Sequence, residues 1–243
     1  MSATRQERRR AERDAKKEEK FNMHVELLQP WSTFVMKAQL PPQILEKMIK
    51  ITDEILENKE SEKSAGETLV GQIEDEFFIA PNILKREGLI LFFLDVCKNY
   101  IVQAFLQTMT EDPEIILKEE WLPKLTSMWV VSQYDNEYNP IHRHTDHLSA
   151  IMYLKIPEYL PARKSHKAST DGVISFTNNS SDDSIWGNPQ LQIRPKVGDF
   201  FIFPASQRHQ VYPFRTPDGK GERRSVSFNA SFSSKTEQEY MKK

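Results

Sequence analysis

The feature that most constrains the fold is a series of six short runs, rich in β-branched and aromatic residues, in the second half of the chain. They are MWVVSQY (128–134), LSAIMYLKI (148–156), VISFT (173–177), LQIR (191–194), FFIFP (200–204) and SVSFNASF (225–232), separated by polar or Pro/Gly-containing segments. Short strands at irregular loop spacing bury their apolar side chains when two antiparallel sheets pack together, so the pattern predicts a β-sandwich or a jelly roll (double-stranded β-helix).

Ahead of these runs the periodicity is helical. PPQILEKMIKITDEILEN (41–58) opens on prolines suited to a first helical turn and repeats apolar residues at Ile44, Leu45, Met48, Ile55 and Leu56. A second, more apolar helix is expected from about 88 to 108, and no further helix after it. The reading is therefore α+β: one domain over 23–243, with N-terminal packing helices at about 41–110 and a jelly-roll part at about 126–235. Residues 1–22 are almost all polar or charged and predict a disordered or frayed helical tail. The segment 157–188, with SHKASTDG and TNNSSDDS, reads as a pair of mobile loops around one strand.

Composition excludes more than it selects. With 38% hydrophobic and 28% charged residues and a net charge of -2, nothing draws the chain generally to nucleic acid or to an anionic membrane. The apolar stretch 88–105 is interrupted by Asp95, Lys98 and Asn99, as in a buried helix and unlike a membrane span. Cys97 is the single cysteine, which removes disulfide frameworks and thiolate metal clusters and leaves histidine and carboxylate as metal ligands. The N-terminus lacks the apolar core of a secretory signal. A soluble cytoplasmic protein is expected, in the host cytoplasm if the chain is phage-encoded.

The chemistry concentrates in NPIHRHTDH (139–147), which holds three of the six histidines. On a strand, residues i and i+2 share a face about 6 to 7 Å apart, so either His142 with His144 or His144 with Asp146 can grip one ion. His142 and Asp146 would be about 13 Å apart on a regular strand, too far for one ion unless the chain turns after His144. A third ligand must come from elsewhere, and PKVGDFFIFPASQRHQVYPF offers His209 just past a buried strand. In GERRSVSFN, Arg223, Ser225 and Ser227 share one face of the final strand, with Arg224 facing outward. A guanidinium pointing into a small barrel is costly unless it meets an anion, and its planar fork suits a carboxylate.

In this order, H-x-H, LSAIMYLKIP, GD-x-x-x-FP, H and R-x-S resemble the iron(II)- and 2-oxoglutarate-dependent oxygenases. Within them the chain is most similar to a family found in bacteria and in phages of marine bacteria. The likeness covers about 128–231, with a weaker trace at GQIEDEF (71–77). It implies iron ligands at His142, His144 and His209, with Asp146 the alternative ligand of a literal H-x-D, and otherwise a carboxylate orienting an imidazole. It also implies a 2-oxoglutarate clamp at Arg223 with Ser225, Fe(II) and 2-oxoglutarate as cofactor and cosubstrate, and ascorbate as an accessory reductant. The activity implied is a hydroxylase that couples 2-oxoglutarate decarboxylation to oxidation of a substrate C–H bond.

Other residues are read as structural. His24, His147 and His166 are assigned to the surface, and Trp129, Tyr134 and Tyr153 to core packing. The competing readings are a cupin, which would ordinarily add a glutamate shortly after H-x-H, and a non-catalytic jelly-roll virion or scaffold protein. The substrate is not legible; a protein or peptide side chain is the expectation, with no membrane or nucleic-acid partner.

Overall fold

The computed structural model describes residues 34–108, 112–164, 166–178 and 189–242. The chain divides into Met1–Trp31 and Ser32–Lys243. The first part lies outside the described residues, as does the expected tail at 1–22, together with much of the second expected mobile loop.

Two antiparallel sheets form the framework. One orders its six strands as β1 (Met36–Gln39), β8 (Asp199–Pro204), β5 (Leu148–Lys155), β10 (Arg223–Ser234), β3 (Trp121–Gln133) and β2 (Asp75–Phe78). The other has β4 (Asn139–His142), β9 (His209–Val211), β6 (Ile174–Thr177) and β7 (Gln190–Ile193). Every pairing is antiparallel, and consecutive strands repeatedly cross between the sheets, as the jelly-roll expectation requires.

Helices cover the outer face of the six-stranded sheet. Helix α1 (Pro42–Glu57) starts on its proline pair and buries Met48, Ile51, Thr52 and Ile55. A short α2 (Pro81–Arg86) leads into α3 (Ile90–Thr108), which buries Phe93, Cys97, Tyr100 and Ile101. Helix α3 is long and apolar enough to cross a membrane by length and composition alone, but one face belongs to the core, where Phe93 meets Phe228 of β10 at 5.5 Å between ring centroids. The expectation that helices stop at 108 is corrected by α4 (Pro113–Lys118) and α5 (Lys235–Tyr240). Each is six residues, too short to show an apolar period, and each starts on a side-chain cap, Asp112 accepting from Glu114 N and Ser234 from Glu237 N.

The GD-x-x-x-FP motif has a structural explanation. Gly198 has φ 83°, open to glycine at little cost, and the buried Asp199 carboxylate accepts from Lys196 N at 2.9 Å while pairing with Lys37. This turn launches β8, which then delivers the chain to His209.

Candidate metal centre and its cavity

The site is assembled from the facing edges of the two sheets. His142 ends β4 and stands directly opposite His209, the first residue of β9. The chain bends beyond β4, and His144 N donates to Ala205 O at 2.8 Å, which pins the second imidazole beside the turn that follows β8. Two groups of this segment, His142 and His144, thus meet a third from β9, and the bend that follows them carries Asp146 toward Thr126.

Ring centroids are 4.2 Å apart for His142 and His209, 5.1 Å for His142 and His144, and 5.3 Å for His144 and His209. One donor atom from each lies within 4.8 Å of the others. His142 Nδ1 is 2.7 Å from Pro140 O and His209 Nδ1 is 3.0 Å from Gln207 O. A carbonyl only accepts, so both Nδ1 atoms carry the proton and both Nε2 atoms keep a lone pair for a metal. Burial lowers the affinity of all three rings for a second proton, with the neighbouring imidazoles adding to the effect at His144 and His209; His144 falls to about 4 and His209 to about 3. The trio is thus neutral near pH 7, the state in which imidazole ligates.

Asp146 and His147 take no part in this group. The Asp146 carboxylate accepts from Thr126 Oγ1 at 2.9 Å, toward β3, and no imidazole bonds to it among the described residues. His147 is exposed, packs on Phe232 and accepts from Phe232 N.

The same cavity is lined by Arg223, Ser225 and Ser227 of β10, with Trp129 and Val131 of β3 beside them. Arg223 is only 2% exposed. It donates to Gly172 O at 3.1 Å and to Gln133 Oε1, and its Nε has no partner among the described residues. Its guanidinium lies over the rings of Phe214, 5.5 Å away, and Tyr153, 5.8 Å away, and it forms no ion pair among the described residues. A buried cation held by neutral groups is an anion site in waiting. Gln133, which orients it, was invisible to motif reading because a glutamine late in a β-rich run carries no signal of burial. Tyr153, read as core, is indeed buried, with its ring against the Arg223 guanidinium and its hydroxyl without a partner among the described residues.

Arg224 faces out of the barrel as expected, but its surroundings there are dry. It projects away from the cavity, yet it is buried under α1, donating to Thr52 Oγ1 and pairing with Asp53 and with Glu222. The outer face of the sheet is covered by helices, so a residue turned out of the barrel is not thereby turned into water.

A carboxylate that sequence reading did not single out also reaches the cavity. Glu76 of β2 is 1% exposed, its Oε2 has no partner, and burial, with the charge of Glu137, raises its carboxyl to about 7.

Residues 127–229 match a protein-family model described as "Putative 2OG-Fe(II) oxygenase". No curated protein matches the sequence. Among solved structures, HygX from Streptomyces hygroscopicus, with nickel, 2-oxoglutarate and hygromycin B bound, is similar with a TM-score of 0.50 and 9% identity over 83% of each chain. The non-heme α-ketoglutarate-dependent epimerase SnoN from nogalamycin biosynthesis is similar with a TM-score of 0.50 and 12% identity, covering 81% of this chain and 78% of that one. A 2OG-Fe(II) oxygenase family oxidoreductase from Burkholderia pseudomallei matches over 45% of this chain and 43% of its own, with 14% identity and a TM-score of 0.33. At these identities the likenesses to HygX and SnoN speak for the fold alone.

Proposed function

We propose, from the match of residues 127–229 to the 2OG-Fe(II) oxygenase model, that the chain is a 2-oxoglutarate-dependent oxygenase using Fe(II) and that it hydroxylates a substrate C–H bond. In this reading His142, His144 and His209 hold the iron, and Arg223 with Ser225 takes the distal carboxylate of 2-oxoglutarate. The observation that carries it is the convergence, in one cavity, of three neutral imidazoles and a buried guanidinium that lacks an anion.

The donor set suits the group. His142, His144 and His209 would hold Fe(II) through neutral imidazole nitrogens, and 2-oxoglutarate would be taken on the Arg223 side of the cavity. When bound, iron with 2-oxoglutarate and dioxygen supplies the oxidising power, releasing succinate and carbon dioxide as the substrate is oxidised. The protein does the remainder. The Pro140 and Gln207 carbonyls fix the tautomers and orientations of His142 and His209. Gln133 and the Gly172 carbonyl hold the Arg223 fork in place before any cosubstrate arrives. Because all three ligands are neutral, the dianionic cosubstrate supplies the negative charge that offsets both the metal and Arg223.

The test is anaerobic titration with Fe(II) followed by 2-oxoglutarate, with succinate release measured after oxygen is admitted. His209→Ala should weaken Fe(II), while Arg223→Ala should weaken 2-oxoglutarate much more than Fe(II). Unchanged 2-oxoglutarate affinity in the Arg223 variant would overturn the clamp assignment.

A further inference from the structure

Glu76 has no role in the reading above, and its placement calls for one. In β2 it stands opposite Val131 of β3, and Val131 stands opposite Ser225 of β10. The three therefore lie in one row across the inner face of the sheet, with the glutamate two strands, about 10 Å, from Ser225. The next row carries Phe78, Trp129 and Ser227. The carboxylate thus opens into the cavity to one side of the proposed cosubstrate clamp, along the wall that carries the Trp129 indole.

The surroundings of Glu76 leave it unanswered. No hydrogen bond or ion pair to its carboxylate is present among the described residues, and Oε2 is buried without a partner. Arg143 also lines the cavity, but it is exposed and makes no ion pair with Glu76. The loop above has been kept bare: a Cβ on Gly71 would come within 3.0 Å of Glu76 Oε1 and 2.6 Å of Asn139 Oδ1. A side chain there would push both polar groups aside. An isolated buried carboxylate is among the most expensive groups a core can hold, and the usual resolution is a cation or a strong donor brought to it. An indole wall alongside favours a positively charged nitrogen, which a neutral donor would not exploit.

Building on the oxygenase reading, we propose that Glu76 anchors the substrate, and that the substrate presents a protonated nitrogen, an ammonium or guanidinium, to this carboxylate beside Trp129. Glu76 then positions the substrate in the cavity, and it recognises the charged group without touching the bond that is oxidised.

The probes are n-butylammonium and n-butylguanidinium, with n-butanol as the neutral and butyrate as the anionic counterpart. Each is titrated anaerobically into protein loaded with Fe(II) and 2-oxoglutarate, with binding read by Trp fluorescence and by the visible absorption of the loaded site. The wild-type protein should bind the two cations at least tenfold more tightly than the other two, and Glu76→Gln should lose that preference while forming the loaded site at unchanged Fe(II) and 2-oxoglutarate concentrations. Equal binding of all four probes to the wild type, or a cation preference that survives in Glu76→Gln, overturns the inference while leaving the oxygenase reading intact. Failure of the wild type to form the loaded site would strike that reading instead, and the same probes titrated into metal-free protein would still judge Glu76 by the same preference.

Discussion

Replacing Glu76 by Gln nearly preserves the side chain's shape while removing its titration, and this should make the protein more stable in alkaline solution. The carboxyl is raised from 4.5 to about 7, first by burial and then by the charge of Glu137. The folded state therefore binds this proton more tightly than the unfolded chain. The advantage of the protonated form is complete below about pH 4.5 and is lost as pH rises through 7. A shift of about 2.5 units, at about 1.4 kcal/mol per unit, sets the ionised carboxylate's cost at about 3 kcal/mol, an upper value for a site that can relax around the charge. Urea unfolding of metal-free wild type and Glu76→Gln, at pH 5 and at pH 8.5, measures it directly. The difference between the two proteins should move by about 2 to 3 kcal/mol in favour of the variant between those pH values. Any fixed effect of the amide appears at both, and titration of the histidines cancels because both proteins share it. A difference that stays constant from pH 5 to 8.5 would refute the reasoning, since it would mean that Glu76 ionises as freely in the folded protein as in the unfolded chain.

Three further outcomes are expected. Arg223→Lys keeps the charge but not the fork held by Gln133 and Gly172, so 2-oxoglutarate should bind about tenfold more weakly than to wild type, yet more tightly than to Arg223→Ala, as anaerobic titration would show. His144 and His209 have folded pKa values depressed to about 4 and 3, so their stabilising effect is present above about pH 6.5 and is lost as pH falls through those values; thermal melts of metal-free protein should show a decline toward pH 4 that is smaller in a His144→Gln/His209→Gln double variant. Arg224→Ala removes one of the two cations that Glu222 and Asp53 share, leaving Lys155 on both, and because Asp53 is partly solvated urea unfolding should show a loss of about 1 to 2 kcal/mol, with Fe(II) binding preserved in the folded protein.

Much of this architecture was legible because its strands advertise themselves. LSAIMYLK and FFIFP are dense in apolar residues, and β5 and β8 fall within a residue of their expected bounds. The same is true of α1, whose proline start and apolar spacing fix its first turn and its buried face. The strands β1 (MKAQ), β2 (DEFF), β4 (NPIH) and β9 (HQV) were not legible, since they are as short as β6 and β7 and their composition does not set them off from the polar residues around them. That omission hid Glu76: in the run EDE it looks solvated, and only strand parity distinguishes it from Asp75, which pairs with Lys59 outside. The H-x-H ambiguity was of another kind. Sequence spacing permits either pair, and what separates them is the bend after His144 and the bond from its amide to Ala205, both tertiary facts.

Strand β10 places two adjacent arginines on opposite faces, one in the metal cavity and one beneath α1. If β10 slipped by one residue during folding, an arginine would still point to each face of the sheet, so which faces carry charge cannot by itself report the error. The next residues can. Ser225 and Ser227 line the cavity while Val226 and Phe228 lie fully buried in the helix-covered core. A one-residue slip would exchange those faces, burying hydroxyls among Phe93 and Phe200 and thrusting Phe228 toward the site. The alternation of serine with valine and phenylalanine thus proofreads the pairing of this strand, and Val226→Ser with Ser227→Val would erase that check while leaving both arginines in place.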